Sequence, residues 1–410
     1  MEKIDQNLYS RQIFTYGKET MNKIVNLRVL IIGLRGLGGE TAKNIILAGP
    51  KEVSISDKNI CNINDLGANF YLNDNDINKK TREDSCIDKL KELNPYVNVN
   101  IYNGSSNKDM IKYNVIIITE IMKLDELYNI DKLCRENKNY FIYALNFGLT
   151  GFLFNDFGSE HAIFDFNGEK KIVYNIRYIE EKKNSYQITL NLRTDEYIEL
   201  IEGDYIIIKN IKGLEFLNGN EPKKIIKVNK HCLEIEKVNN LSKNSYISGG
   251  IIEEFKIEKK IKFKSFQDNF IKPNKDFISI DSKKKTPNIL LHCAFVSLHI
   301  YYFNYSKLPE LNNLEQLDEL IKLSKSYYTI LQKEFQTYLQ VKEKRKYITA
   351  EFDEDYLIKV FRWCKSEINP ICTFLGGIVS EEAIKVTGKY TPVQQWLRFD
   401  FFQKRLIGIY

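Results

Sequence analysis

The 410-residue chain has no Cys-x-x-Cys pair, only four histidines, and no uninterrupted apolar run of the roughly 18 residues that a membrane-spanning helix needs. Its seven cysteines (Cys61, Cys86, Cys134, Cys232, Cys293, Cys364 and Cys372) are odd in number and scattered. That pattern excludes a disulfide frame and a zinc site, and reads as reduced, structural, intracellular thiols. His161, His231, His292 and His299 form no cluster. His292 and His299 fall on one face of a helix but have no acidic or cysteine partner, so no metal site is expected. The polar N-terminus is expected to be no signal peptide. A net charge of +6 is spread through Lys/Asn/Ile-rich sequence rather than gathered in a block. It reads as solvated surface lysine, with neither nucleic acid nor membrane as a partner.

What the chain does have is 43% hydrophobic residues, enough to build the cores of two or three domains. Residues 5–26 carry apolar positions at helical spacing. Strands are expected over 28–32, 52–56, 97–102, 115–119 and 140–145, separated by helices over 38–49 and near 83–93 and 124–138. Strands alternating with helices imply a parallel α/β sheet. From about 161 to 255 the rhythm changes to short strands (171–178, 186–192, 205–208, 224–228, 232–236). Turns fall at Asn218-Gly219-Asn220-Glu221-Pro222 and at Gly249-Gly250. Long amphipathic helical runs follow at 288–304, 313–344 and 353–366, with Lys283-Lys284-Lys285 before Pro287 expected as an exposed loop. A helix over 369–388 and a strand over 396–401 close the sequence. The helix carries Gly376 and Gly377, expected to permit close backbone packing.

The most informative segment is Val29-Leu30-Ile31-Ile32-Gly33-Leu34-Arg35-Gly36-Leu37-Gly38. It matches the dinucleotide fingerprint G-x-G-x-x-G at Gly33 and Gly38, with Gly36 between them. The middle glycine, which lets backbone N–H groups approach a phosphate, is replaced by Arg35. An arginine stem there fills the space of a pyrophosphate. The turn has the form of a nucleotide site and lacks its central requirement.

Several further segments, in order along the chain, resemble the N-terminal half of the eukaryotic ubiquitin-activating enzyme. They are Leu8-Tyr9-Ser10-Arg11-Gln12, the glycine turn, Asp65-Leu66-Gly67-Ala68-Asn69-Phe70-Tyr71-Leu72, Leu217-Asn218-Gly219-Asn220, Gly249-Gly250-Ile251 leading to Ile261-Lys262-Phe263-Lys264-Ser265-Phe266, Phe374-Leu375-Gly376-Gly377, and Gln395-Trp396-Leu397-Arg398-Phe399-Asp400. The resemblance implies a Rossmann-like adenylation domain of the type seen in bacterial MoeB and ThiF proteins, with a small β-barrel-like insert and an inserted helical bundle. The implied divisions are an inactive adenylation domain over 1–160 and 365–410, a first catalytic-cysteine half-domain over 161–255, and a four-helix bundle over 256–364.

In that family a second, active adenylation domain binds ATP and Mg²⁺, adenylates the ubiquitin C-terminus and leads to the thioester cysteine. The resemblance therefore implies that this chain has no catalytic residue and binds no cofactor tightly. Its implied partners are the active half, ubiquitin and, through the full enzyme, ubiquitin-conjugating enzymes, in the cytoplasm and nucleus. The active copy's arginine and glutamine are matched here by Ala68 and Asn69, its lysine aligns near Thr81, and its acidic metal ligand near Lys123. Transfer chemistry at phosphates depends on such charges. Asp57, at a strand end, is expected as a cap or loop carboxylate more than as a ribose partner. Arg11 is the exception: the resemblance implies that it reaches the ATP phosphates of the active half in trans. Two other readings stay open: a regulatory subunit of a SUMO- or NEDD8-activating heterodimer, and an NAD-binding oxidoreductase with a degenerate fingerprint.

Overall fold

The computed structural model describes residues 5–193, 195–237, 245–273, 288–310, 312–341, 352–401 and 405–407. The lysine run at 283–285 and Pro287 lie outside them. The chain divides into two compact units, one made of 1–161 with 260–410, the other of 162–259.

In the first unit the N-terminal segment is two helices, α1 (Ser10–Tyr16) and α2 (Lys18–Ile24), rather than the single expected run. Gly17 breaks it with φ of +82°, a conformation that costs a glycine little. Then come β1 (Arg28–Ile32), α3 (Gly36–Ala48), β2 (Glu52–Ser56), α4 (Arg82–Lys91), β3 (Asn98–Ile101), β4 (Val115–Ile118), α5 (Leu124–Asn137), β5 (Tyr140–Phe147) and β6 (Thr150–Asp156). A three-residue strand, β7 (His161–Ile163), leads out of the unit.

The barrel strands of the second unit are β8 (Val173–Glu181), β9 (Ser185–Leu190), β10 (Tyr205–Lys209), β11 (Lys223–Val228), β12 (Cys232–Glu236) and β13 (Ile251–Glu254), and β14 (Lys259–Ile261) leads back. The first unit resumes with α6 (Phe266–Phe270), α7 (Asn288–Tyr305), α8 (Leu314–Val341), α9 (Glu354–Arg362), α10 (Asn369–Lys385), β15 (Trp396–Asp400) and β16 (Arg405–Ile407).

The eight-stranded sheet runs β16-β15-β6-β5-β4-β1-β2-β3. The five strands β1 to β5 are parallel, as expected. The other three are not: β6 folds back on β5, and β15 pairs antiparallel with both β6 and β16. Gly148, at φ +57°, lies between β5 and β6 and makes that reversal possible. The sheet is mixed, and its antiparallel side is finished by the last strands of the chain.

β1 and β4 are near-continuous apolar runs because the sheet is covered on both faces. Val29 and Ile31 pack with α3, α4 and α10, including Ile45, Leu90 and Val379. Leu30 and Ile32 face the other way, in a core with Leu127 of α5 and the helices α7 to α9. Helices α3 and α10 lie side by side. A Cβ on Gly376 would sit 2.9 Å from Glu40 Cβ and 3.2 Å from Thr41 N, so the glycine sets how closely they approach.

The second unit is a closed antiparallel barrel in the order β10-β11-β12-β9-β8-β13. Alternate residues, among them Ile188, Ile206, Ile208, Ile225, Leu233, Ile235 and Ile252, point into its core. The sequence suggests five of these strands. The sixth, β13, follows the Gly249-Gly250 turn and closes the ring, which removes both open edges.

Candidate functional site

The strand order reverses between β1 and β4, and in open α/β sheets that is where a crevice opens at the carboxyl ends of the strands. Here it is a cleft of about 470 Å³. Arg35, Asn59, Arg82, Glu120, Asn146 and Glu367 give it a polar side, and Tyr302, Leu308 and Cys364 a largely apolar one. Arg35 is the residue by which the glycine turn reaches its lining. Gly33 has φ of +95°, and a Cβ there would sit 2.9 Å from Thr119 Oγ1. A Cβ on Gly38 would overlap the Gly33 carbonyl oxygen. The turn has kept the glycines its backbone path needs.

Arg35 sits at the N-cap of α3 in an extended conformation. Its Nη2 donates to the Lys365 carbonyl at 2.9 Å. Its Nε lies 3.6 Å from Asp65 Oδ1, and its Nη1 3.5 Å from Glu367 Oε1. The guanidinium is therefore held across the turn by partners from two distant segments.

The backbone donors of the turn are also engaged. Leu34 N–H donates to Asp57 Oδ2 at 2.8 Å, and Leu37 N–H donates to Glu367 Oε2 at 3.2 Å. Asp57, buried at the end of β2, accepts from Arg82 Nη1 at 3.2 and 3.3 Å and from Asn59 N and Nδ2 at 3.0 Å. Arg82 Nε in turn donates to Asp65 Oδ2 at 2.9 Å. Asp57 is a loop carboxylate that caps the glycine turn.

The other sequence-suggested positions separate. Ala68 is buried against the start of α3, where a Cβ on Gly36 would meet its methyl group at 2.6 Å. Asn69 ties the turn down, with Nδ2 donating to the Leu34 carbonyl at 2.7 Å. Thr81 caps α4, accepting from Asp84 N–H at 3.1 Å, and is not part of the cleft lining. Lys123 is exposed at the N-cap of α5, also outside the lining.

The acidic side chain that β4 delivers to the cleft is instead Glu120, two residues beyond the strand. Its carboxyl is pushed up to about 7, first by burial and then by the neighbouring Asp57 carboxylate. Asn59 Nδ2 donates to it at 3.4 Å. The Val-Ile-Ile-Ile run points to Thr119 and Glu120 directly, since the residues just past a central parallel strand face the crevice. No local signal reveals Arg82 or Glu367.

Arg11 is not brought to the cleft. It is exposed on α1, with no hydrogen bond or ion pair of its guanidinium among the described residues. Gln12 Nε2 donates to the Leu47 carbonyl at 3.2 Å, and the Tyr9 hydroxyl accepts from Asn94 Nδ2 at 2.9 Å. These contacts hold α1 against the end of α3 while Arg11 faces outward beside the exposed Leu8 and Phe14. All seven cysteines are unpaired. Burial pushes the thiols of Cys86 and Cys364 up to about 12, away from nucleophilic character. Among the described residues no group of three or more His, Cys, Asp or Glu could hold a metal ion. No described helix is long and apolar enough to cross a membrane.

In the glycine turn the N–H groups of Leu34 and Leu37 are bonded to carboxylates, and the Arg35 and Arg82 guanidiniums are in ion pairs. Comparison with known proteins bears on what such a fold does. A model of the ThiF family matches residues 9–407. The chain is 34% identical over 400 residues to ubiquitin-like modifier-activating enzyme 1 of Homo sapiens, covering 97% of this chain and 36% of that one. It is 32% identical to the protein of the same name from Dictyostelium discoideum, with 97% and 37% covered. It is 31% identical to ubiquitin-activating enzyme E1 1 of Triticum aestivum, with 97% and 36% covered. The chain thus spans little more than a third of the length of these relatives. Among solved structures, a crystal structure of E. coli MccB with AMPCPP and SeMet MccA overlays with a TM-score of 0.33 at 17% identity, covering 38% of this chain and 50% of that one.

Proposed function

Because this chain belongs to the ThiF family and has its Rossmann-like α/β fold with an added β-barrel and helices, we propose that it is the N-terminal, non-catalytic adenylation half of a ubiquitin-activating enzyme. The observation that carries the proposal is the state of the glycine turn. Its phosphate-facing donors and its arginines are consumed by Asp57, Asp65 and Glu367. Transfer at ATP needs cationic groups free to meet the phosphates, and Arg35 and Arg82 are already engaged in ion pairs.

In this reading ATP and Mg²⁺ are used by a second, active adenylation half. Ubiquitin is the substrate and ubiquitin-conjugating enzymes are the acceptors of the full enzyme, in cytoplasm and nucleus. The chain's own work is to scaffold the active half and to help hold ubiquitin, through an adenylation domain over 1–160 and 365–410, a β half-domain over 161–255 and a helical bundle over 256–364. Exposed Phe14, Ile63 and Phe70 supply apolar surface for the pairing. Arg11, without a partner among the described residues, is the cation available to phosphates held by that neighbour, in the manner of an arginine finger.

The test is ATP–pyrophosphate exchange with ubiquitin. This chain alone should show none. In the full-length protein, Arg11→Ala should leave the assembly intact and lower exchange at least tenfold. Exchange by the isolated chain, or an Arg11→Ala enzyme as active as its parent, overturns the proposal.

A further inference from the structure

We propose that the Glu367 carboxylate stands in for a nucleotide phosphate at the head of α3, so that the chain closes its own phosphate site. The inference rests on the proposed function, in which this cleft binds no nucleotide, and supplies the physical reason. An anion at the start of a helix is held by free N–H groups and the positive end of the helix dipole, and an arginine beside it adds charge-assisted bonds. Glu367 meets both conditions. One oxygen accepts from Leu37 N–H at 3.2 Å, and the other lies 3.5 Å from Arg35 Nη1. Its side chain is only 5% exposed. The approach also needs Gly36, because a Cβ there would sit 2.9 Å from Glu367 Oε2.

The surroundings favour a permanent tenant. Glu367 comes just before α10, whose close packing on α3 through Gly376 fixes the distance the carboxylate must span. Arg35, the residue that spoils the nucleotide fingerprint, neutralises it. A few residues earlier in the turn, Asp57 takes the Leu34 N–H and is neutralised by Arg82. Asp65 pairs with both guanidiniums as well, so the carboxylates outnumber the arginines. An entering polyphosphate would meet both carboxylates in a poorly solvated cleft, where like charges repel strongly. Arg35 and Glu367 therefore act together: the arginine takes the place of the missing glycine, and the carboxylate takes the place of the phosphate.

An ordinary helix cap would show the same Leu37 bond, so the experiment must separate the two roles. Inorganic pyrophosphate is titrated calorimetrically into the full chain at pH 7.5, as wild type, Glu367→Ala and Glu367→Gln, with folding checked by circular dichroism. Removing a plain cap costs stability and creates no anion affinity. Vacating a surrogate should raise pyrophosphate affinity at least tenfold over wild type in Glu367→Ala, and by a smaller factor in the isosteric Glu367→Gln. Glu221→Ala, which removes an exposed acid of the barrel unit that does not line the cleft, controls for net charge and should bind like wild type. The proposal is overturned if the folded variants bind pyrophosphate no better than wild type, or if Glu221→Ala gains as much. A wild-type chain that binds ATP would instead unseat the proposed function, an outcome read from the wild type alone.

Discussion

Arg398 Nη2 lies 2.7 Å from the Nδ1 of His292, and both side chains are buried in the core between the sheet and α7. An arginine cannot accept a hydrogen bond, so Nδ1 is the acceptor and His292 is the neutral tautomer. Its Nε2–H then donates to the Phe270 carbonyl at 3.1 Å. Burial first, and the Arg398 charge second, hold the ring's pKa well below the ordinary value.

His161 and His299 are likewise buried, and burial holds each at about 4. All three gain protons in the unfolded chain near pH 6.5 but not in the folded one. Stability is therefore fully present above about pH 6.5 and falls as the pH drops below it. Each ring contributes up to about 1.4 kcal/mol per pH unit until its folded pKa is reached. Thermal unfolding followed from pH 7.5 to 5 should show Tm falling steeply below pH 6.5. A flat profile across that range contradicts the assignment.

Asp131 makes the opposite prediction. Its carboxyl is buried on α5 beside Asp156, and burial first, then the Asp156 charge, raises its pKa. Asp156 in turn accepts from Arg135 Nη1 at 2.5 Å. Unfolded, Asp131 ionises near pH 4; folded, it holds its proton to higher pH. Stability is thus lost as pH climbs through that interval. Asp131→Asn keeps an acceptor for the Phe266 N–H, now at 2.8 Å, and has nothing to ionise. The variant should be more stable than wild type by about 1–3 kcal/mol at pH 8 and should converge with it near pH 4. An equal or lower Tm at pH 8 rules this out.

Gly376 and Gly377 are neighbours on α10 with opposite expectations. Gly376→Ala must push α3 and α10 apart and should cost about 1–3 kcal/mol, the range for overpacking a core. Gly377 is exposed with nothing within 4 Å of a Cβ, so Gly377→Ala should stabilise by about 0.5–1 kcal/mol through helix propensity. Denaturant midpoints of the two variants give the comparison. Equal effects would mean that the helix contact is not set at Gly376.

The parallel part of the fold was legible because its signals are local. The Val-Leu-Ile-Ile and Val-Ile-Ile-Ile runs, the glycine turn and the helix after it each declare themselves within a dozen residues. Strand β6 did not. Thr150–Asp156 carries Asn and Asp at its end, and nothing in that stretch says that it folds back on β5. Strand β13 hid behind two glycines, and its place is set by β8 and β10, which lie far away in sequence.

The site divided in the same way. Gly33, Arg35 and Asp57 could be read from the turn and the strand ends. Lys123 comes from the alignment that the resemblance implies, and it stands three residues beyond Glu120, the acid that reaches the cleft. Glu367 stands 330 residues from Leu37. Only the packing of α10 on α3 reveals their bond.

The antiparallel side of the sheet has a consequence for how the protein is made. Strand β6 is completed by β15, whose first residue is translated about 240 residues after β6 ends. At roughly 5–20 residues per second, the open edge of β6 waits for on the order of tens of seconds on the ribosome. Its unpaired N–H and C=O groups are a template for any passing strand in that time. The barrel, whose strands all lie between residues 173 and 254, can close during the wait. Order of synthesis therefore places the most aggregation-prone interval of this chain between the birth of β6 and the arrival of Trp396.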